Sequence, residues 1–407
     1  MHKHLIPAGT ILALMATPLA AQVVMPGLGD TVGSVTRLAN NALDPAIDTL
    51  ADLPDRAGEL ARDRIERLTR LVRQRREVLD TDREGQPARK GILLIPDPPA
   101  DLSQRLEGSG FRVVGSERLA DLALSVAQVA IPPGMALSRA QDALRRRVPT
   151  LEVAADNLLF ASGSTSSGKA VATRQTAVPA PITAPVGVID GGAAGAVEEQ
   201  RGFASGAPFA GRHGSAIVSL LHAAGVRRVF VADVYGTDPT GGNTLAIVRA
   251  FDWLVGRGVR VVNISLVGPA NPLQVRAVAG ALRRGATIVA PVGNDGPAAP
   301  PAYPASFPGV LAVTGVDGRN RPLIEAGRAE HLDYAAPAAD MRATDARGQR
   351  IPIRGTSFAA PLVAARAAAA AGRNLRETLD REAVDLGPRG PDSSYGRGLL
   401  CGTCRGR

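Results

Sequence analysis

The sequence predicts an α/β protein, with a mostly parallel sheet carrying helices on both faces, preceded by a small α+β unit. Between residues 186 and 316, short apolar runs alternate with helical periodicity, the pattern of repeated strand-helix units. Between residues 91 and 160 the runs are shorter and follow the order β-α-β-β-α-β. An apolar fraction of 45% over 407 residues supplies core for one large domain and a smaller one.

In chain order, His2, Lys3 and His4 form a basic start, Leu5 to about Leu19 is apolar, and Ala20-Ala21-Gln22 offers a small-residue cleavage site. Residues 1–21 therefore read as an export signal, and a periplasmic or secreted product is expected. No later segment reaches the roughly 18 uninterrupted apolar residues of a membrane span, so no transmembrane segment is expected in the mature chain. Residues 22–87 are polar and helix-prone, with Leu60, Ile65, Leu68, Leu71 and Val72 on one helical face. That stripe could bind a partner or a membrane surface. Charges of both signs flank it, so a solvated helix packed loosely on the rest is the expectation.

Residues 88–160 hold GILLIP, ADLSQRLEGSG, FRVVG, DLALSVAQVAI, SRAQDALRRR and TLEVAADNLLF, which predict a ferredoxin-like α+β domain. Residues 161–184, rich in Ser, Ala, Thr and Pro, predict an exposed linker open to proteolysis. Gly163, Gly168 and Lys169 inside it mimic a phosphate-binding loop. Ala170 stands where a magnesium-holding hydroxyl belongs, and Pro179, Pro181 and Pro185 forbid the helix that should follow.

Residues 185–400 carry strands at 186–190, 226–234, 259–265, 286–292 and 310–316, with helices at about 213–224, 243–256 and 272–284. In such sheets ligands sit at the carboxyl ends of the strands, where Asp190 and Asn294 fall. Residues 401–407 form a tail with Cys401 and Cys404, expected as an oxidised pair after export; no further ligands for zinc accompany them.

Lys and Arg number 47 against 38 Asp and Glu, giving +9, but the positive residues are scattered and only 3% of the chain is aromatic. Nucleic-acid binding, which needs a basic stripe and stacking platforms, is excluded as a main role. Acidic residues are too dispersed to name a calcium site, although calcium stays open. No metal or cofactor is required by the chemistry below.

The segment GTSFAAPLVAARAAAAAG, 355–372, places Ser357 after small residues and before an Ala-rich run that reads as a buried helix, with Pro361 in its first turn. A hydroxyl at a helix N-terminus is placed where negative charge is favoured. A serine nucleophile needs a base. Of five histidines, His2 and His4 lie in the signal, His222 on an apolar helix face and His331 in a loop; His213 opens a helix behind a glycine-bounded turn, in GRHGSAIVSLL.

VGVID around Asp190, RHGSAIVSLL around His213, NISLVGP from Asn263 to Pro269, APVGNDG around Asn294 and GTSFAAP around Ser357 resemble the subtilisin-like serine peptidases (S8 family), in that family's order. The resemblance covers residues 186 to about 400. It implies a subtilisin-like fold and a serine endopeptidase acting on polypeptides, with Ser357 as nucleophile, His213 as general base and Asp190 orienting the base. By the same resemblance Asn294 helps form the oxyanion hole. Ser265, Leu266 and Val267 would line one side of the first specificity pocket, and Pro291 and Val292 the other.

The small α+β unit resembles the inhibitory pro-domain of that family, which implies a self-processing zymogen with its own pro-domain as intramolecular inhibitor. Val267 and Ala302 replace glycines common in the family and should fill the pocket, predicting cleavage after Ala or Ser. Gly191 and Ser215 also depart from the family pattern, without removing a catalytic atom. Two alternatives remain: a single cut in the chain's own linker that leaves the new end in the cleft, or a catalytically silent peptide-binding module. An α/β-hydrolase esterase is a weaker reading, since Ser357 sits in GTSFA and not in a GxSxG elbow, and a metallopeptidase lacks its HExxH motif altogether.

Overall fold

The computed structural model describes residues 53–162 and 180–405. The export signal, the phosphate-loop mimic and most of the linker lie outside the described residues. Among the described residues no helix is long and apolar enough to cross a membrane.

The larger unit is built on a seven-stranded sheet of β7 (Val186–Asp190), β8 (Glu199–Gly202), β9 (Val229–Asp233), β10 (Val261–Ile264), β12 (Thr287–Pro291), β13 (Leu311–Val316) and β14 (Tyr334–Pro337). Their order is β14-β13-β12-β10-β7-β9-β8, and every neighbouring pair is parallel. Its central strands are nearly continuous apolar runs because both faces are covered, as parallel sheets require. One face packs α4 (Arg212–Ala223) and α7 (Ala360–Ala369). The other packs α5 (Thr244–Gly256) and α6 (Pro272–Arg283).

Asn243 and Asn271 cap α5 and α6, accepting from Ala246 N and Leu273 N. The alanines of α7 let that helix run buried against β10 and β12. Edge strands β8 and β14, and the hairpin of β15 (Met341–Thr344) and β16 (Arg350–Ile353), carry too little apolar periodicity to be read from sequence.

The smaller unit pairs β2 (Pro87–Pro96) with β4 (Leu124–Ala130) and β5 (Ala154–Asn157), and β4 with β3 (Arg112–Leu119), all antiparallel. Helices α2 (Leu102–Arg105) and α3 (Leu137–Arg147) cover one face around Leu93, Ile95, Phe111, Val129 and Leu144. Leu94, Leu119, Leu122, Leu124 and Val126, from the other face and the β3–β4 turn, join the core under α5 and α6.

Two sequence boundaries shift. The polar region 22–87 also contains β1 (Leu79–Thr81), which pairs with the start of β2; Asp82 closes their turn by accepting from Glu84 N and Gln86 N. Its helix α1 (Leu53–Gln74) buries Ala57 and Leu68 and half-buries Leu60, Leu71 and Val72, whereas Ile65 is 61% exposed. The stripe is not loosely solvated, because it packs on the larger unit.

The second shift concerns the linker. Phe160–Ala161 form a strand, β6, and Ile182 is buried and bridged to Val226, so both ends of 161–184 belong to folded structure. At the C-terminus Cys401 and Cys404 form a disulfide, and buried Arg405 donates to Asp317 O. Residues 401–405 therefore belong to the body.

Candidate active site

Asp190 ends β7 fully buried, and its Oδ1 accepts Gly191 N at 2.7 Å. His213 is the second residue of α4, and its Nδ1 lies 3.0 and 2.9 Å from the two Asp190 oxygens. Glycine is required at 214, since a Cβ there would meet Gly191 O at 2.1 Å; this contact sets the distance between strand end and helix start. Ser215 ties the same two loops, donating to Gly211 O and accepting from Ala194 N.

Ser357 sits in a 3₁₀ turn, Thr356–Phe358, ahead of α7, and its Oγ is 3.1 Å from His213 Nε2. With Nδ1 donating to the carboxylate, Nε2 carries the lone pair and faces the hydroxyl. Gly355 enters the turn at φ +134°, a conformation closed to other residues. Phe358 packs its ring 5.3 Å from the imidazole. His222 and His331 are each tied to backbone carbonyls elsewhere.

Asn294 follows β12 on a loop. Its Oδ1 accepts Thr356 N at 2.9 Å, while Thr356 Oγ1 donates to Gly293 O. That fixes the amide so that Nδ2 points into the cleft, where it donates to Ser162 O. The Ser357 amide donates to the same carbonyl at 3.3 Å.

The cleft is thus occupied by the chain itself. β6 pairs antiparallel with β11 (Leu266–Val267), matching Ala161 with Leu266 and Phe160 with Val267. Leu159 N donates to Gly242 O, and Tyr235 Oη donates to Leu159 O at 2.7 Å. Leu159 fills the space over Gly268, where a Cβ would meet its Cγ at 2.6 Å. Ser162 is 5% exposed, and its hydroxyl finds no hydrogen-bond partner.

The pocket residues expected from sequence divide. Val267 and Ala302 converge: a Cβ on Gly293 would be 3.7 Å from both side chains. Leu266 and Val292 are corrections, because each turns its side chain into the core under α5 and α6. Strand alternation explains Leu266, whose neighbour Val267 takes the cleft face. Pro291 is buried at the end of β12. Ser265 uses its hydroxyl inward, donating to Ser357 O and accepting from Asn263, and offers only its backbone carbonyl to Ser162 N at 3.5 Å.

Sequence reasoning missed Ser162, Leu159 and Tyr235, and also Asp295, which forms ion pairs with Arg64 and Arg67 of α1. The signal for Ser162 was faint: the apolar run 158–160 ends two residues before it.

The Subtilase family model matches residues 197–398, which include His213, Asn294 and Ser357 and begin beyond Asp190. Subtilisin BL of Lederbergia lenta is 30% identical over 251 residues, 58% of this chain and 90% of that protein. Subtilisin Savinase of the same organism is 31% identical over 254 residues, with the same coverage. The minor extracellular protease Epr of Bacillus subtilis is 30% identical over 168 residues, 39% of this chain. The chain spans only 26% of Epr and 59% of subtilisin E. Among solved structures, fervidolysin from Fervidobacterium pennivorans, a keratinolytic enzyme related to subtilisin, superposes with a TM-score of 0.64 at 16% identity, covering 80% of this chain and 62% of that one.

Proposed function

The chain belongs to the subtilase family, and from that premise we propose that it is an exported serine endopeptidase made as a zymogen that cuts itself between Ser162 and Gly163. One observation carries the reading: the Ser162 carbonyl oxygen accepts from both Asn294 Nδ2 and the Ser357 amide, while Ser357 Oγ lies 3.1 Å from His213 Nε2. This is how a scissile carbonyl is held before attack.

In the proposed reaction Ser357 Oγ bonds to the Ser162 carbonyl carbon as its proton passes to His213 Nε2. Asp190 stabilises the resulting imidazolium and holds its orientation. The carbonyl electrons move to oxygen, where the Asn294 and Ser357 donors stabilise the charge. Collapse breaks the bond to Gly163 N, which leaves as an amine with the proton from His213. Water, deprotonated by His213, then attacks the ester; Ser162 leaves as a carboxylic acid and Ser357 regains its proton. Apart from the hydrolytic water, every group in the proposed reaction is a side chain or backbone amide of this chain, so the proposed chemistry calls for no cofactor.

Other polypeptides would bind as residues 159–162 do, adding a strand to β11. The converging Val267 and Ala302 side chains support a pocket sized for a small residue, and the unpartnered Ser162 hydroxyl supports selection by size over selection by polarity. Cleavage after Ala and Ser should therefore dominate in a peptide library, with Ala at least equal to Ser; dominant cleavage after Phe or Lys would refute the pocket assignment. Labelling of Ser357 by a fluorophosphonate in the processed protein tests the endopeptidase reading itself. A folded, cut-free protein that takes no label would instead be the silent peptide-binding module.

A further inference from the structure

We propose, resting on that self-cutting reading, that α1 is a second anchor of the pro-segment: it grips the oxyanion loop from outside the cleft and keeps the cut segment on the enzyme after its covalent link is gone. The substrate segment and the helix hold adjacent residues of one loop, Asn294 from inside the cleft and Asp295 and Gly296 from outside it. Asn294 donates to Ser162 O inside the cleft, whereas the next residue, Asp295, accepts from Arg67 at 2.6 Å and pairs with Arg64 Nε at 3.2 Å. Gly296, at φ +80°, lies under the helix: a Cβ there would be 3.0 Å from Leu60 Cβ and Cδ1 and 3.6 Å from Ala57 O.

Arg64 is the hinge of the arrangement. Its side chain is only 17% exposed, and its second nitrogen donates to Gln86 Oε1, in the turn that starts the small unit's sheet. One guanidinium thus ties helix, small unit and oxyanion loop together. Arg75, just beyond α1, adds a bond to Pro239 O, and Lys90 of β2 donates to Arg76 O. Hydrolysis at Ser162–Gly163 breaks none of these contacts. The new Ser162 terminus would stay opposite Asn294 while α1 is docked, so peptidase activity is expected to rise with loss of the helix and not with the first cut.

The test separates this from the self-cutting reading by making the nick independently of catalysis. In the full chain carrying Ser357→Ala, a recognition site for an added protease is placed within residues 163–179, and dissociation of the nicked segment is followed by gel filtration at low and high salt. Arg64→Glu with Arg67→Glu should speed dissociation about tenfold at low salt, the scale of two partly exposed ion pairs, with a smaller effect in 1 M salt. Ile65→Asp, on the exposed side of the same helix, should leave the rate unchanged. A charge-reversed segment that leaves no faster than the parent overturns the proposal. So does an Ile65→Asp segment that leaves as fast as the charge-reversed one, since helix stability alone would then explain the effect.

Discussion

The two units of this molecule are held by different physics. Within the larger one, strands and helices share an apolar interior with few alternatives to folding. Between the two units the apolar patch is ringed by polar contacts centred on helix starts. The Leu245 amide of α5 donates to Asp156, Asn271 donates to Ala155 O and to Asn157, and Thr244 donates to Asn157 O. Asp252 accepts from the amides of Asp121 and Leu122, while Arg249 meets Glu117, and Arg276 meets both Asp97 and Glu152. Polar groups of this kind can return to water. An interface of two folded bodies can therefore open where an interior cannot, which suits the proposed release of the smaller unit.

Catalysis and grip should accordingly fail separately. The largest effect is expected from Asp190→Asn, which supplies the wrong imidazole tautomer: with the linker nicked by an added protease, segment retention read by gel filtration should be unchanged, and once the segment is removed kcat on a chromogenic peptide should be about 10⁴-fold lower. Asn294→Ala should lower kcat about 10²- to 10³-fold, a magnitude taken from subtilisin's own oxyanion-hole asparagine, and should loosen the segment only slightly. Val267→Gly should shift preference toward Leu or Phe at the cleaved position by roughly 10- to 100-fold in the ratio of kcat/KM values. Unchanged preference would place the pocket wall elsewhere.

The smallest effect concerns pH. Burial pushes the Asp156 carboxyl up to about 6; its Oδ2 lacks a hydrogen-bond partner, and Arg89 lies 3.5 Å away. The assembled state therefore binds more protons than the separated state between about pH 4 and 6, so the interface weakens as pH rises through that window and is flat above it. In the nicked Ser357→Ala chain, retention should be stronger at pH 5 than at pH 7 by a few-fold. Asp156→Asn should remove that dependence, and a persisting one would assign it to another group.

Much of the larger unit was legible because its chemistry is local. Asp190 ends a Val/Ile strand, His213 and Ser357 start helices, and Asn294 follows a strand, so each motif carries its own structural context. The occupied cleft was not legible in the same way. Phe160–Ala161 become a strand, flanked by a bound Leu159 and Ser162, only because β11 offers an edge and Gly242, Tyr235 and Asn294 offer partners, all distant in sequence. Nor does the α1 stripe announce its target: Leu60 needs Gly296, and Arg64 needs Asp295, more than 200 residues away. The Leu266 and Val292 errors have a simpler origin, since a motif names a strand but not which alternate side chain faces the cleft.

The most direct test is the intact mass of the chain expressed without residues 1–21, beside its Ser357→Ala counterpart. The account predicts two pieces in the parent, one ending at Ser162 and one beginning at Gly163, and a single uncut chain in the variant. A parent that stays whole, or one cut at another bond or equally in both proteins, would contradict it.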